Sequence, residues 1–384
     1  MAAKRIIYSL ILLAVAVAFV VSNSAVALFL LVSLLALPLI SLVMLLLVRK
    51  RVRFELSVRE SCIRGGTLQL TLRAGATPRF FLGGIKVLVE IENTTFDKTE
   101  CKSFLINDLS FTPHIFEYTG ADSGRICVKC DYLNLVDLFG VFSVRVRHFG
   151  YAEAIVSPML FDDIGITIGD RYSDTIFGDT SLPKKGGDIT EVYDVRDYIV
   201  GDSPNRVHWK LSGKFGELKT KEFGATDDRR ILILVDLSRA KYGSAATDAQ
   251  LNGVLDVAVS ISNALKNTGC MHSVGWFAGG EFQRSEVGDG DTFVRAVGKL
   301  MSIKVNDGNE ETMFYLSRTP ECAVFTKIIL VSPSVSYEEF GYAVDAEITA
   351  VEVGESSGET LHQGVRVINI PLDNIHDALA ACRI

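Results

Sequence analysis

The chain has 384 residues, roughly two to three times a usual single domain, so more than one module is expected. With 48% hydrophobic and 22% charged residues, 32 Gly and only 9 Pro, the composition excludes disordered, collagenous and low-complexity classes. A formal net charge of -7 removes any general pull toward nucleic acid, and seven Cys without framework spacing suit a reducing compartment.

The mean hydropathy of +0.27 is concentrated at the front, where Ile6 to Val21 and Ala25 to Val48 are almost free of charge. Runs of that length and composition predict two transmembrane helices joined by the turn Ser22-Asn23-Ser24. Lys4 and Arg5 precede the pair and Arg49, Lys50, Arg51 and Arg53 follow it, which holds both ends, and everything after them, on the cytoplasmic side of a cell membrane. An alternative reading makes the first run a signal peptide with Ala25-Val26-Ala27 as its cleavage site; the second run would then still stop against the basic cluster. Pro38 inside the second run marks a kink.

From Val52 to about residue 161 the pattern alternates with period two, as in Arg53-Phe54-Glu55-Leu56-Ser57-Val58 and Leu68-Gln69-Leu70-Thr71-Leu72. Together with Ile85 to Ile91, Arg125 to Cys130, Val141 to Val146 and glycine turns at 65–66, 83–84 and 120–124, this predicts an all-β, sandwich-like antiparallel domain. Residues 162–228 turn polar and glycine-rich and read as irregular structure with short strands. From 229 to the end strands and helices alternate. Arg230 to Asp236 is a continuous apolar run suited to a strand buried on both faces. Leu251, Val254, Leu255, Ala258, Ile261 and Leu265 recur at helical spacing, with Gly269 as the left-handed cap. Further strands at Ser273 to Phe277, Lys327 to Val331, Ile348 to Val353 and Val365 to Ile370, with helices near Thr292 to Met301 and Ile375 to Cys382, complete a doubly wound α/β domain.

The densest cluster of chemical residues runs from Arg196 to Lys210. Gly201 permits a tight turn, Asp202 or Ser203 can cap a helix and Pro204 fits its first position, so a short helix is predicted there with Asp202 and Arg206 four apart. Gly213 and Gly216 then lead into a strand at Glu217 to Phe223. Three readings follow. His208 beside Asp202 could serve a hydrolase, although no Ser or Cys nucleophile elbow accompanies them. The Arg, Asp and Trp side chains could clasp two domains together. Trp209 and the Arg residues, with Lys210, Lys214, Lys219 and Lys221, also have the make-up of a partner-binding hot spot.

The same residues, Arg196, Tyr198, Gly201-Asp202, Arg206 and His208-Trp209-Lys210, followed by Leu218 and Glu222, resemble the signature of the family called domain of unknown function 58. The stretch Asp137-Leu138-Phe139-Gly140-Val141-Phe142 is similar to that family's Asp-x-Phe-Gly-Leu-Phe element. The resemblance implies a C-terminal domain similar to the von Willebrand factor type A fold, and a MoxR-type AAA+ ATPase and a client protein as partners. It implies a role in protein assembly with no enzymatic activity and no cofactor. That fold holds a divalent cation through Asp-x-Ser-x-Ser, which makes Asp236 and Ser238 the candidate Mg²⁺ ligands, with Ala240 at the second Ser position, Arg239 between, and Ser332-Pro333-Ser334 after the later strand. Without a cation, Asp236 is a polar cap at the strand end.

Cys127-Val128-Lys129-Cys130 has zinc-like spacing without a second pair and reads as two thiols on a strand. Gly279-Gly280 and Gly288-Asp289-Gly290 read as turns, and the six His form no metal-hydrolase pattern.

Overall fold

The computed structural model describes residues 2–77, 82–162, 164, 192–198, 208–223, 230–241, 244–306, 312–335, 346–362 and 364–381. Two N-terminal helices, α1 (Ala2–Ser22) and α2 (Ala25–Val48), stand antiparallel about a turn in which Asn23 takes a positive φ and Ser24 caps α2. Both are long and apolar enough to cross a membrane, α2 reaching about 36 Å at 1.5 Å per residue. Most of their apolar side chains are exposed, but Leu45 and Val48 at the end of α2 are buried in the core of the following domain.

That domain is a sandwich of a three-stranded and a five-stranded sheet. The first sheet orders β1 (Val52–Val58), β3 (Thr67–Ala76) and β6 (Ser110–Thr119). The second orders β2 (Ser61–Ile63), β8 (Ser143–Ser157), β7 (Gly124–Asp137), β4 (Leu82–Asn93) and β5 (Lys98–Ile106). The alternating residues behave as the period-two pattern predicts, with Leu68, Leu70 and Leu72 of β3 and Ile85, Val87, Val89 and Ile91 of β4 buried in one core. The pairing departs from a purely antiparallel sandwich at one place, where β2 runs parallel to β8.

A two-stranded ribbon pairs β9 (Val192–Asp197) with β10 (Lys219–Phe223), and the short helix α3 (Trp209–Phe215) precedes β10. The seven-stranded sheet of the last domain follows the order β15 (Glu281–Val287), β14 (His272–Ala278), β11 (Ile231–Val235), β16 (Lys327–Ser332), β17 (Glu347–Gly354), β19 (Val365–Pro371), β18 (Gly358–His362). The five inner strands are parallel and the two edge strands antiparallel. A two-residue bridge, β12 (Ala240–Lys241) with β13 (Ser244–Ala245), closes the turn after β11.

Residues 231–235 are all buried because both faces of β11 are covered. Ile231, Ile233 and Val235 share a core with α4 (Asp248–Asn267), α5 (Gly290–Leu300) and α7 (Ile375–Ala381). Leu232 and Leu234 meet Met313 and Leu316 of α6 (Thr312–Arg318) on the opposite face. Helix α4 opens on a capping box of Thr247 and Gln250, and Gly269 follows it at φ 76°, the left-handed cap that its sequence predicts. Strands β15 and β18 and helix α6 were not legible in the pattern, being short, polar or at an edge.

Gly253 lies where α4 crosses the sheet: a Cβ there would stand 2.8 Å from Val353 Cγ1 and 2.9 Å from Leu372 Cδ2. Gly253→Val is therefore expected to destabilise the α/β domain by about 1–3 kcal/mol through overpacking, whereas Gly213→Ala, with open space around its Cβ, leaves the melting temperature near wild type or above it. Thermal unfolding of the two purified variants checks this.

Candidate functional site

The chain winds from β11 to β14 on one side and returns to β16 on the other, so the crevice at the carboxyl ends of β11 and β16 is the topological switch point of the sheet. Asp236 follows β11 there and is buried; its Oδ1 accepts the Ser238 N–H at 3.0 Å and its Oδ2 accepts the Ser332 hydroxyl at 3.1 Å. Val235, Ser238, Trp276, Asn306 and Thr312 line a cavity of about 20 Å³ at this point, enough for one water-sized species. Its polar lining is the Asp236 carboxylate, the Ser238 and Thr312 hydroxyls and the Asn306 amide, hard oxygens of the kind Mg²⁺ takes, with the Lys304 ammonium also on the wall and no cluster of three His, Cys, Asp or Glu among the described residues. Arg239 turns to Asp248 at the start of α4, with Nη1 2.7 Å from the carboxylate. The loop is pinned from the far side by Asn306, whose N–H donates to Leu237 and whose carbonyl accepts from Arg239. Ser332, named from the resemblance at the end of the later strand, does meet Asp236, while Thr312 was not assigned from sequence; it lies about 75 residues further along the chain, a distance no local pattern spans.

The described signature residues fall on the ribbon and on α3. Arg196 stands opposite Thr220 and Asp197 opposite Lys219, the Tyr198 N–H donates to Leu218, and the His208 N–H donates to Lys219 at 2.7 Å. Arg196, Tyr198, His208, Trp209 and Lys210 are thus brought together along the backbone around Lys219. Gly201, Asp202 and Arg206 lie outside the described residues, as does the helix expected to begin near them. A described helix starts at Trp209 with His208 as its cap, the ring Nδ1 accepting the Leu211 N–H at 3.2 Å. Gly213 is inside that helix rather than in a leading turn, and Gly216, at φ 76°, ends it. A cap needs an acceptor on the ring, so His208 serves the backbone here. Phe215 and Leu218 are exposed beside Lys210 and Lys214.

Among the described residues, polar groups that join the two large domains lie on α4. Asn252, Asp256, Ser260 and Asn263 recur every three or four residues on one face of that helix, and all four are buried. Asn252 accepts the Ser123 N–H and donates to Asp122 of the sandwich. Asp256 pairs with Arg64 and accepts the Met159 N–H at 2.8 Å. Ser260 accepts the Phe161 N–H, and Asn263 donates to Asp162. Sandwich residue Phe96 is buried in the α/β core, while Thr95 Oγ1 donates to the Met301 carbonyl at 2.7 Å and the Val305 N–H donates to Thr95. Lys98 bridges Asp122 and Asp248, and Asp248 in turn holds Arg239 beside the strand-end crevice. The sequence signal was present: four polar residues interrupting an otherwise apolar helix at helical spacing.

Cys127 and Cys130, three apart on β7, face opposite sides of the sheet. Cys130 is in the sandwich core, where burial pushes its thiol up to about 11, and Cys127 lies 3.5 Å from the Tyr151 hydroxyl. They cannot share a metal ion. His272 is a satisfied core histidine, held between Ser262 and the Cys270 carbonyl.

Residues 194–294 match the family described as "Protein of unknown function DUF58". That span runs from the ribbon through β15 into α5, so the ribbon and the first half of the sheet together make up the matched domain. No curated protein matches the chain. Among solved structures, the chain is similar to the CARDB domain of the PF1109 protein in complex with di-metal ions from Pyrococcus furiosus, at 10% identity and a TM-score of 0.20, over 27% of this chain and 86% of that one. It is also similar to a cohesin module of a Clostridium perfringens family 33 glycoside hydrolase, at 9% identity and a TM-score of 0.21, over 28% and 96%. A third is the PKD domain of an M14-like peptidase from a Thermoplasmatales archaeon, at 15% identity and a TM-score of 0.19, over 28% and 92%.

Burial pushes the Asp256 carboxyl up to about 6, against the opposing pull of Arg64 and the Met159 N–H. Because the folded value lies above the ordinary 3.8, stability from the protonated carboxyl is complete below that ordinary value and is lost as pH rises through about 6. Asp256→Asn is expected to flatten the pH dependence of the melting temperature across that window. Arg64→Ala leaves a buried carboxylate unpaired and is expected to cost about 3–5 kcal/mol at neutral pH, much of it recovered when Asp256→Asn is added. Thermal scans of the three variants across the window measure both effects.

Proposed function

Proceeding from a DUF58 domain at residues 194–294, we propose that this protein is a membrane-anchored, non-enzymatic adaptor that works with a MoxR-type AAA+ ATPase on a client protein from the cytoplasmic side. The observation that carries the reading is the joint made by α4. Two domains locked by a buried ion pair, three further polar side chains and Phe96 form one rigid body, and α2 runs directly into that body through Leu45 and Val48. A rigid presenting body on an apolar hairpin suits a protein that holds a partner at a fixed height above a bilayer. The last domain, with its first strand central and an antiparallel edge at β15, has a layout compatible with a von Willebrand factor type A-like fold. Lys4, Arg5 and the basic cluster at 49–53 support an inward orientation. The ribbon, with exposed Phe215 and Leu218 among lysines, is the surface offered to the ATPase.

A second reading is favoured by the crevice itself: a divalent cation held by Asp236 and Ser238, with Thr312 and Ser332 hydroxyls close by, and completed by an acidic group of the partner. When bound, the cation would supply a Lewis-acidic contact for that carboxylate, while the chain's own residues orient it.

Affinity capture of the tagged full-length protein from native membranes, with a slowly hydrolysed ATP analogue present, is expected to recover an AAA+ ATPase, and Phe215→Glu is expected to reduce that recovery. Membranes that release the protein under alkaline wash, or captures that contain no ATPase, would falsify the adaptor reading. For the cation, Mg²⁺ or Mn²⁺ is expected to raise the melting temperature of wild type and not of Asp236→Asn; equal responses remove this second reading.

A further inference from the structure

Although the chain carries net charge -7, one face at the domain junction is strongly basic. A groove of about 930 Å³ runs between the start of β7, the β14–β15 hairpin and α5, and Arg125, Arg284, Arg295, Lys299 and Lys304 line it with no acidic side chain among the described residues of its walls. Trp276 and Ile155 are among its apolar lining residues. It continues past Ile155 and Gly298, which line both parts, into a second groove of about 420 Å³ walled by Ile63, Leu160, Val294 and Val297. Ile63 and Val294 are 63% and 68% exposed, and Ile63 ends β2, the edge strand of the five-stranded sheet.

The pairing of these cations is partial, Arg295 also acting on Asp289 at the start of α5. Arg295 and Lys299 are exposed one turn apart on α5 and make no ion pair among the described residues. Arg125 is held by the Ser302 hydroxyl at 2.6 Å and reaches Glu153 only at 3.6 Å. Arg284 lies over the Phe325 ring, and Lys304 pairs with Asp97 at an exposed position where such pairs are worth little. Gly298 keeps the passage between the two parts open: only Ile155 Cδ1, at 3.9 Å, comes near the position of a Cβ.

We propose that this groove binds an extended acidic segment of a partner protein, its carboxylates against the five cations and its adjoining apolar residues in the trough beside β2. Charge complementarity sets the acidic part. The apolar continuation sets the polypeptide: Ser61, Ile63, Ile155 and Ser157 share one face of the β2–β8 pair under α5, and alternate side chains of an extended peptide can lie along such a trough. The bilayer is disfavoured as occupant because the groove is at the Arg125 end of β7, whereas the opposite end of that strand, the Asp137–Val141 turn, meets the start of α1, where Arg5 Nε donates to the Val141 carbonyl at 2.8 Å. The fourteen residues of β7 separate the two ends by about 40 Å. The proposal deepens the adaptor reading and rests on it only for the partner being a protein.

The test uses the full-length protein in nanodiscs of neutral lipid and a fluorescein-labelled peptide of about 12 residues, extended to roughly 40 Å, with a Glu-rich half and a Leu- and Val-containing half. Fluorescence anisotropy is expected to show saturable, salt-sensitive binding. Combined Arg295→Glu and Lys299→Glu should weaken it by about tenfold or more and favour a counterpart peptide with Lys in place of Glu. Gly298→Leu, which fills the passage, should weaken it as well, and unchanged melting temperatures should accompany both variants. The proposal is overturned by no binding of the acidic peptide, by equal binding to wild type and the charge reversal, or by preference for a single-stranded oligonucleotide or for phosphatidylserine vesicles. Loss of the ATPase capture with peptide binding intact would fail the adaptor reading alone; loss of peptide binding with the ATPase still captured would fail this one alone.

Discussion

The arrangement depends on a carboxylate buried where two domains meet. Asp256 sits in the middle of a helix whose residues from Leu251 to Leu265 are all buried, and a charge in such a place is tolerable only with a matched partner. Arg64, from the loop after β2 of the other domain, supplies it, and the Met159 N–H adds a second contact. The neighbouring Asn252, Ser260 and Asn263 repeat the same logic with neutral groups. A buried polar stripe of this kind is a directional lock. Apolar packing such as that of Phe96 rewards many relative orientations, whereas a line of donors and acceptors is satisfied in only one.

That lock connects regions that would otherwise act separately. From Asp122 and Lys98 the chain of ion pairs passes to Asp248 and then to Arg239, next to the Asp236 crevice. From Thr95 it passes through Met301 and Val305 to Asn306, which pins the same crevice from the other side. The basic groove lies along this joint, with walls from both domains, so it exists only because the joint is fixed. The apolar helices enter the sandwich through Leu45 and Val48, and the Asp137–Val141 turn meets Arg5, which ties the same rigid body to its anchor.

The signature segment is described only in part, at Val192–Asp197, Tyr198 and from His208 onward. Its described part is a ribbon and a short helix, with Arg196 on β9 and His208 capping the helix that Trp209 and Lys210 begin. A clasp between the two domains is a real feature of the molecule, and among the described residues it is built by α4 and the sandwich. The motif drew attention because its residues are close in sequence, whereas the clasp pairs residues 192 positions apart.

What the sequence determined by itself is whatever depends on local periodicity and transfer energy: two membrane-length helices, the alternating strands of the sandwich, the doubly buried β11, and α4 with its caps. These need no knowledge of distant partners, since apolar spacing and cap chemistry act within a few residues. Only the tertiary structure decided the parallel pairing of β2 with β8, the edge strands β15 and β18, the meeting of Ser332 and Thr312 with Asp236, and the pairing of Arg64 with Asp256. The groove belongs with these, because five cations scattered over about 180 residues become one surface only after two domains have been fixed against each other. Each of those features is a contact between segments far apart in the chain, and its energy has no counterpart in any local pattern.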